Sequence, residues 1–162
     1  MPSYKDLNKT YQGGDLRVDG LDSLEGCPQH ITGNFDCGSN ILEILVGGPT
    51  NVDGEYICNS CKLTDLIGCA SHIGGILNFC NNDITSLVGI HKIIKSCPDI
   101  RFYPSEIKEG GIGLLLIKNL NQITWESEPF YIIEKYLGSG TKGIMECSKE
   151  LKAKGYADYA KL

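Results

Sequence analysis

Along this chain, large apolar residues return at a fixed interval of 21 positions, with glycines and polar residues returning between them. Leu21, Leu42, Leu63 and Ile84 fill one position of the repeat, and Leu24, Leu45, Leu66 and Leu87 fill another. Gly26, Gly47, Gly68 and Gly89 follow, then Pro28 and Pro49, then Ile31, Val52, Ile73 and Ile94, then Gly33, Gly54 and Gly75. Phe35, Tyr56 and Leu77 come next, with Cys37, Cys58 and Phe79 two residues beyond them. That alternation points both side chains to one face of a strand.

A repeat of this length signals a solenoid, in which one unit cannot bury its apolar face alone and stacks on its neighbour. Each coil is expected to offer one short strand, and successive strands to lie parallel at about 4.8 Å along one side. The glycines are expected where the chain turns back on the convex side, taking positive φ or letting neighbouring backbones approach.

Three runs sharpen the picture. FDCGSNIL, residues 35–42, resembles the leucine-rich-repeat core LxLxxNxL, with Phe35, Cys37, Asn40 and Leu42 in its fixed places. YICNSCKL, residues 56–63, matches it with Cys61 in place of the asparagine, and LNFCNNDI, residues 77–84, matches it with Asn82. The LxxL and Gly-x-Pro that follow are similar to the short bacterial and phage form of the repeat, in particular to small proteins of tailed bacteriophages. The resemblance spans roughly residues 21–104 and implies an α/β repeat solenoid with a parallel β-sheet on one face. It also implies an asparagine ladder interrupted at Cys61.

The ends of such a stack need closing, because an open edge exposes apolar side chains and unpaired strand groups. Residues 1–20 read as an N-terminal cap with a degenerate half-repeat at Leu16 and Val18, residues 21–104 as four coils, and residues 105–162 as a C-terminal cap. Within that cap, residues 112–120 read as a strand continuing the sheet or as a packed connector. Phe130, Ile133, Tyr136 and Leu137 then fall at helical spacing before Gly138, and Ile144, Cys147 and Leu151 share a helical face before Gly155. Two short helices are expected to close the last coil.

Charge narrows the partners. With 15 basic against 20 acidic residues, a nucleic acid or an anionic membrane is a poor match, and a basic protein surface is a better one. No basic segment followed by an apolar stretch opens the chain, and no apolar run approaches the ~20 residues of a membrane span, so a soluble, cytoplasmic protein is expected. The eight cysteines fit that reading as reduced thiols. Cys37 shares a repeat position with Cys58, and Cys27 with Cys69, as small apolar core residues would.

Several motifs invite chemistry that the repeat explains without it. Cys58 and Cys61 form a CxxC and could join Cys37 and Cys80 around zinc, but their spacing follows from the coil, and no helix follows as thiol redox chemistry needs. His30, His72 and His91 lie close in the repeat frame, yet Asn51 occupies the intervening coil. GSGTKG, residues 138–143, lacks the full phosphate-loop pattern and reads as a turn between helices. The terminal AKL reads as the frayed end of a capping helix. No Ser-His-Asp set or carboxylate pair assembles, so neither a catalytic site, a metal nor a cofactor is expected.

What remains is the outward face of the sheet. Its expected columns are Asp15, Asn34, Glu55 and Ile76; Arg17, Asp36, Ile57, Asn78 and Asp99; and Asp19, Gly38, Asn59, Cys80 and Arg101. Ile57 and Ile76, rimmed by Asp36, Glu55, Asn59 and Asn78, make an apolar centre with a polar edge, the anatomy of a protein-binding patch. Asn34, Asp36, Glu55, Ile57, Asn59, Ile76, Asn78, Cys80 and Arg101 are therefore the candidate binding residues, with the C-terminal helices as the competing surface. The expected function is a non-catalytic protein-binding module, with homo-oligomerisation as a further option. The phage resemblance implies an accessory protein that inhibits a host protein or defence enzyme in the bacterial cytosol. Two alternatives rank lower: a binder that captures a nucleotide signal, for which Lys and Arg are sparse in the repeats, and an enzyme using a cysteine or histidine site.

Overall fold

The computed structural model describes residues 11–124 and 126–162. The first ten residues of the expected N-terminal cap lie outside them. The 21-residue repeat folds as a right-sized ladder of coils, and the leucine columns line its interior: Leu24, Leu42, Leu45 and Leu63 are fully buried. Phe35, Tyr56, Leu77 and Ile100 stack behind the strands, equally buried.

Each central coil carries two strands rather than the one expected. Strands β1 (Leu16–Arg17), β3 (Phe35–Asp36), β5 (Tyr56–Ile57), β7 (Ile76–Asn78), β8 (Asp99–Arg101) and β9 (Gln122–Ile123) form a six-stranded parallel sheet in that order. Strands β2 (His30–Ile31), β4 (Asn51–Val52) and β6 (His72–Ile73) form a second parallel sheet where a convex turn was expected. Its cause is the β-branched column. Ile31, Val52 and Ile73 point inward and are buried, while His30, Asn51 and His72 point out, the alternation of a half-buried strand.

The glycine columns divide by physical role. Gly68 has φ +89°, and a Cβ there would stand 2.4 Å from the Val46 nitrogen of the preceding coil, so both conformation and proximity demand glycine. Gly54 needs only proximity: its N–H donates to the Gly33 carbonyl at 2.9 Å, and the Gly75 N–H donates to the Gly54 carbonyl at 2.8 Å.

The asparagine ladder is interrupted as the Cys61 substitution implies. Asn40 accepts from the Leu21 N–H at 2.7 Å and donates to the Val18 and Cys37 carbonyls at 2.9 and 2.8 Å. Asn82 repeats the pattern with the Leu63 N–H and the Cys58 and Phe79 carbonyls. Between them, the Cys61 thiol donates over longer distances, to the Cys37 carbonyl at 3.4 Å and the Asn59 carbonyl at 3.8 Å.

The C-terminal third closes the stack. Residues 112–120 are the packed connector rather than a strand: Ile112–Leu116 is a 3₁₀ turn that buries all but Leu116, and the sheet is continued instead by β9. Before this cap, the short helix α1 (Ile90–Ile93) lies in the fourth coil. The two expected helices follow as α2 (Glu128–Glu134) and α3 (Gly140–Ala153), the second burying Cys147 and Leu151. Because α3 begins at Gly140, GSGTKG is a turn only in its first residues and helix thereafter. The C-terminus is tied down rather than frayed: Tyr159 donates to the Ile107 carbonyl at 2.8 Å, and Lys161 pairs with Glu109 at 2.7 Å. No helix among the described residues is long and apolar enough to cross a membrane.

Candidate partner-binding face

The six-stranded sheet alternates strictly. Phe35, Tyr56, Leu77 and Ile100 face the core, which obliges Asp36, Ile57, Asn78 and Arg101 to face outward, directly opposite one another on successive strands. Asp99 pairs with Ile76. This corrects the expected columns, which put Asp99 beside Asn78 and Arg101 beside Cys80. The fourth coil is two residues longer than the repeat, so a count of 21 falls short of the true partner.

Ile57 lies opposite Asn78, which makes Ile76 its diagonal neighbour, within reach for long side chains. Asn34 and Arg101 are exposed; Asp36, Glu55, Ile57, Asn59, Ile76, Asn78 and Cys80 are half-buried. All nine candidates thus belong to one surface, but several are tied to their own backbone. Asn34 accepts from the Glu55 N–H at 2.8 Å and so splices two coils. Asp36 accepts from the Gly38 N–H at 2.9 Å, and Asn78 from the Cys80 N–H at 3.2 Å. Arg17 approaches Asp36 at 3.6 Å, and Arg101 pairs with Asp99 at 3.1 Å. Ile57, Ile76 and the Glu55 carboxylate have no such bond among the described residues. At the cap end the face opens into a cleft of about 310 Å³ lined by Asp99, Arg101, Gln122, Ile123, Thr124 and Glu126.

The cysteines and histidines do not converge. All eight cysteines are free thiols. Burial pushes Cys37 and Cys58 well above the usual thiol range, with neighbouring thiols adding to the effect, and burial also raises the half-buried Cys61 and Cys80. A protonated thiol is a poor nucleophile and metal ligand. His30 and His72 flank Asn51 on the second sheet, and each is engaged locally: His30 with Asp53 at 2.8 Å, His72 with Ser71 at 2.9 Å. His91 stands apart in α1, its imidazolium disfavoured by burial and by Lys92 and Lys95.

A second surface lies outside the expected site. Ile41, Ile44, Val46, Ile67 and Val88 are between 43 and 60% exposed, all on the LxxL side of the coils. The signal was present: Val46, Ile67 and Val88 recur at 21 residues, each directly after a buried leucine. No protein-family model matches this chain, and neither a curated protein nor a solved structure matches it.

Proposed function

We propose that this solenoid is a non-catalytic protein-binding module that engages its partner through the outer face of the six-stranded sheet. The observation that carries the reading is the diagonal pair Ile57 and Ile76, two half-buried aliphatic side chains within a border of Asp36, Glu55, Asn59 and Asn78. Desolvating such a centre supplies binding energy, and the polar border supplies orientation. The coils hold the face rigid through inter-strand hydrogen bonds and the asparagine ladder, so little ordering entropy is lost on association. In keeping with the resemblance to tailed-phage repeat proteins, the partner we favour is a host bacterial protein whose action the module blocks in the cytosol. The nucleotide-sponge reading draws less support, since Arg17 and Arg101 on this face are already paired with aspartates.

The test is co-purification of the tagged chain from bacterial cells, repeated with Ile57→Asp/Ile76→Asp and with Asp36→Lys/Glu55→Lys. A stoichiometric protein retained by the native chain should be lost from the first variant, and its association rate and salt dependence should change in the second. Retention by both, with loss on substitution of Tyr131, Lys135 or Lys142, would move the site to the capping helices.

A further inference from the structure

The LxxL side of the coils carries a surface of different character from the sheet face. Val46, Ile67 and Val88 occupy equivalent positions in three successive coils, and the fit of Gly68 against the Val46 backbone brings those coils into contact there. Ile41 and Ile44 extend this stripe sideways within one coil, so five aliphatic side chains are exposed on the same side of the coils, as at surfaces that bind partners. A shallow depression beside it is lined by Asp22, Ser23, Ile41, Glu43, Ile44 and Lys62.

The border of the patch is acidic. Asp22, Glu25, Glu43, Asp65 and Asp83 occupy the positions around and between the aliphatic residues. Among the described residues none of these five carboxylates forms a salt bridge; Asp65 accepts the Ile67 N–H at 2.8 Å. The nearby cations are Lys62 and, at the cap end, Lys108 and Lys161. Lys108 donates to the Ser105 carbonyl, and Lys161 is committed to Glu109 and Asp158. An aliphatic stripe inside a border of five carboxylates against the single cation Lys62 complements a segment with large apolar residues flanked by Lys or Arg. It does not complement itself: a two-fold pairing of copies would set the same carboxylates against each other.

We propose that this surface is a second docking site, separate from the sheet face, and that it takes a basic, apolar segment of another protein. A displayed random-peptide library selected on the full chain tests it. Peptides retained by the native protein but not by Ile44→Asp/Ile67→Asp should carry net positive charge and at least two large apolar residues. Their affinity should fall at least tenfold in that variant, stay within twofold in Ile57→Asp/Ile76→Asp, and weaken with added salt. A benzophenone placed at the centre of a selected peptide should label residues 41–46, 65–67 or 88 of the native chain, which keeps the test valid if the double variant fails to fold. Failure to recover such peptides, recovery of neutral or acidic ones, or labelling of residues 34–36, 55–59 or 76–80 would overturn the proposal. Self-association in sedimentation that Ile44→Asp/Ile67→Asp abolishes would also overturn it, assigning the patch to a second copy.

Discussion

Phe102 in the last full coil and Phe130 in the first capping helix meet edge to face, with ring centroids 4.9 Å apart. Phe79 stacks on the other side of Phe102 at 5.4 Å, and Tyr159 meets Phe130 edge-on at 5.7 Å. One row of rings therefore joins the repeat to its cap. Phe130→Ala should cost about 3 to 5 kcal/mol, by lost burial and by the cavity left at that junction. Urea denaturation measures it, with the exposed Met145→Ala as reference. Equal costs for the two would mean that the cap adds nothing to the stability of the coils.

Restoring the ladder should stabilise the protein. Cys61→Asn places an amide where Asn40 and Asn82 already bridge coils, and should add about 1 kcal/mol through better hydrogen bonds. Asn82→Ala should cost roughly 2 to 3 kcal/mol, since it strands the buried Leu63 N–H and Cys58 carbonyl. A destabilised Cys61→Asn protein in the same denaturant series would show that this coil is too tight for the amide.

Two glycines with positive φ should respond very differently to alanine. At Gly68 the new Cβ would lie 2.4 Å from a backbone nitrogen, whereas at Gly138 nothing stands within 4 Å. Gly138→Ala should cost about 1 to 2 kcal/mol, the backbone penalty alone. Gly68→Ala should fail to give a folded, soluble protein. Circular dichroism and solubility decide it, and a folded Gly68→Ala chain would mean that the coils can separate at Val46.

Stability should fall on the alkaline side. Burial raises the folded-state values of Cys27 and Cys97 to about 11 and of Cys147 to about 12, from 9.0. Below the ordinary thiol value both folded and unfolded chains hold these protons, and the stabilisation is fully present. Above it the unfolded chain releases protons that the folded chain retains, so stability declines with pH until the folded values are reached, by up to about 1.4 kcal/mol per pH unit for each thiol. Denaturation midpoints between pH 8 and 10 should therefore drop, and Cys147→Ala should show a shallower slope from a lower starting stability. A flat profile would contradict the burial of the thiols.

Much of the architecture was legible because a solenoid writes its core as columns. Leu45 and Leu66 announced themselves by spacing, and so did the helical face of Cys147 and Leu151. The second sheet was harder to read, since a two-residue strand such as Asn51–Val52 gives one inward side chain per coil and no alternation to count. The register of Asp99 and Arg101 escaped because spacing carries across a lengthened coil only when the extra residues are located. Membership of the sheet face was readable from strand alternation, but the binding of Asn34 to the next coil was not, because an exposed asparagine and a coil splice look alike in one dimension. Ile67 is hard to read for a related reason: beside Leu66 it completes an apolar pair, and only the recurrence of Val46 and Val88 after the leucine column marks it as the member that meets water.

Coil length is not constant along the stack. From Leu16 to its partner Phe35 is 19 residues, from Phe35 to Tyr56 and from Tyr56 to Leu77 is 21, and from Leu77 to Ile100 and Ile100 to Ile123 is 23. The two longest coils are the ones that hold α1 and the 3₁₀ turn, so their extra residues are taken up in helical turns behind the sheet. Beyond them α2 packs on the last coil through Phe102 and Phe130, so head-to-tail addition of a copy at that end, the standing hazard of parallel strand stacks, would first have to displace the cap.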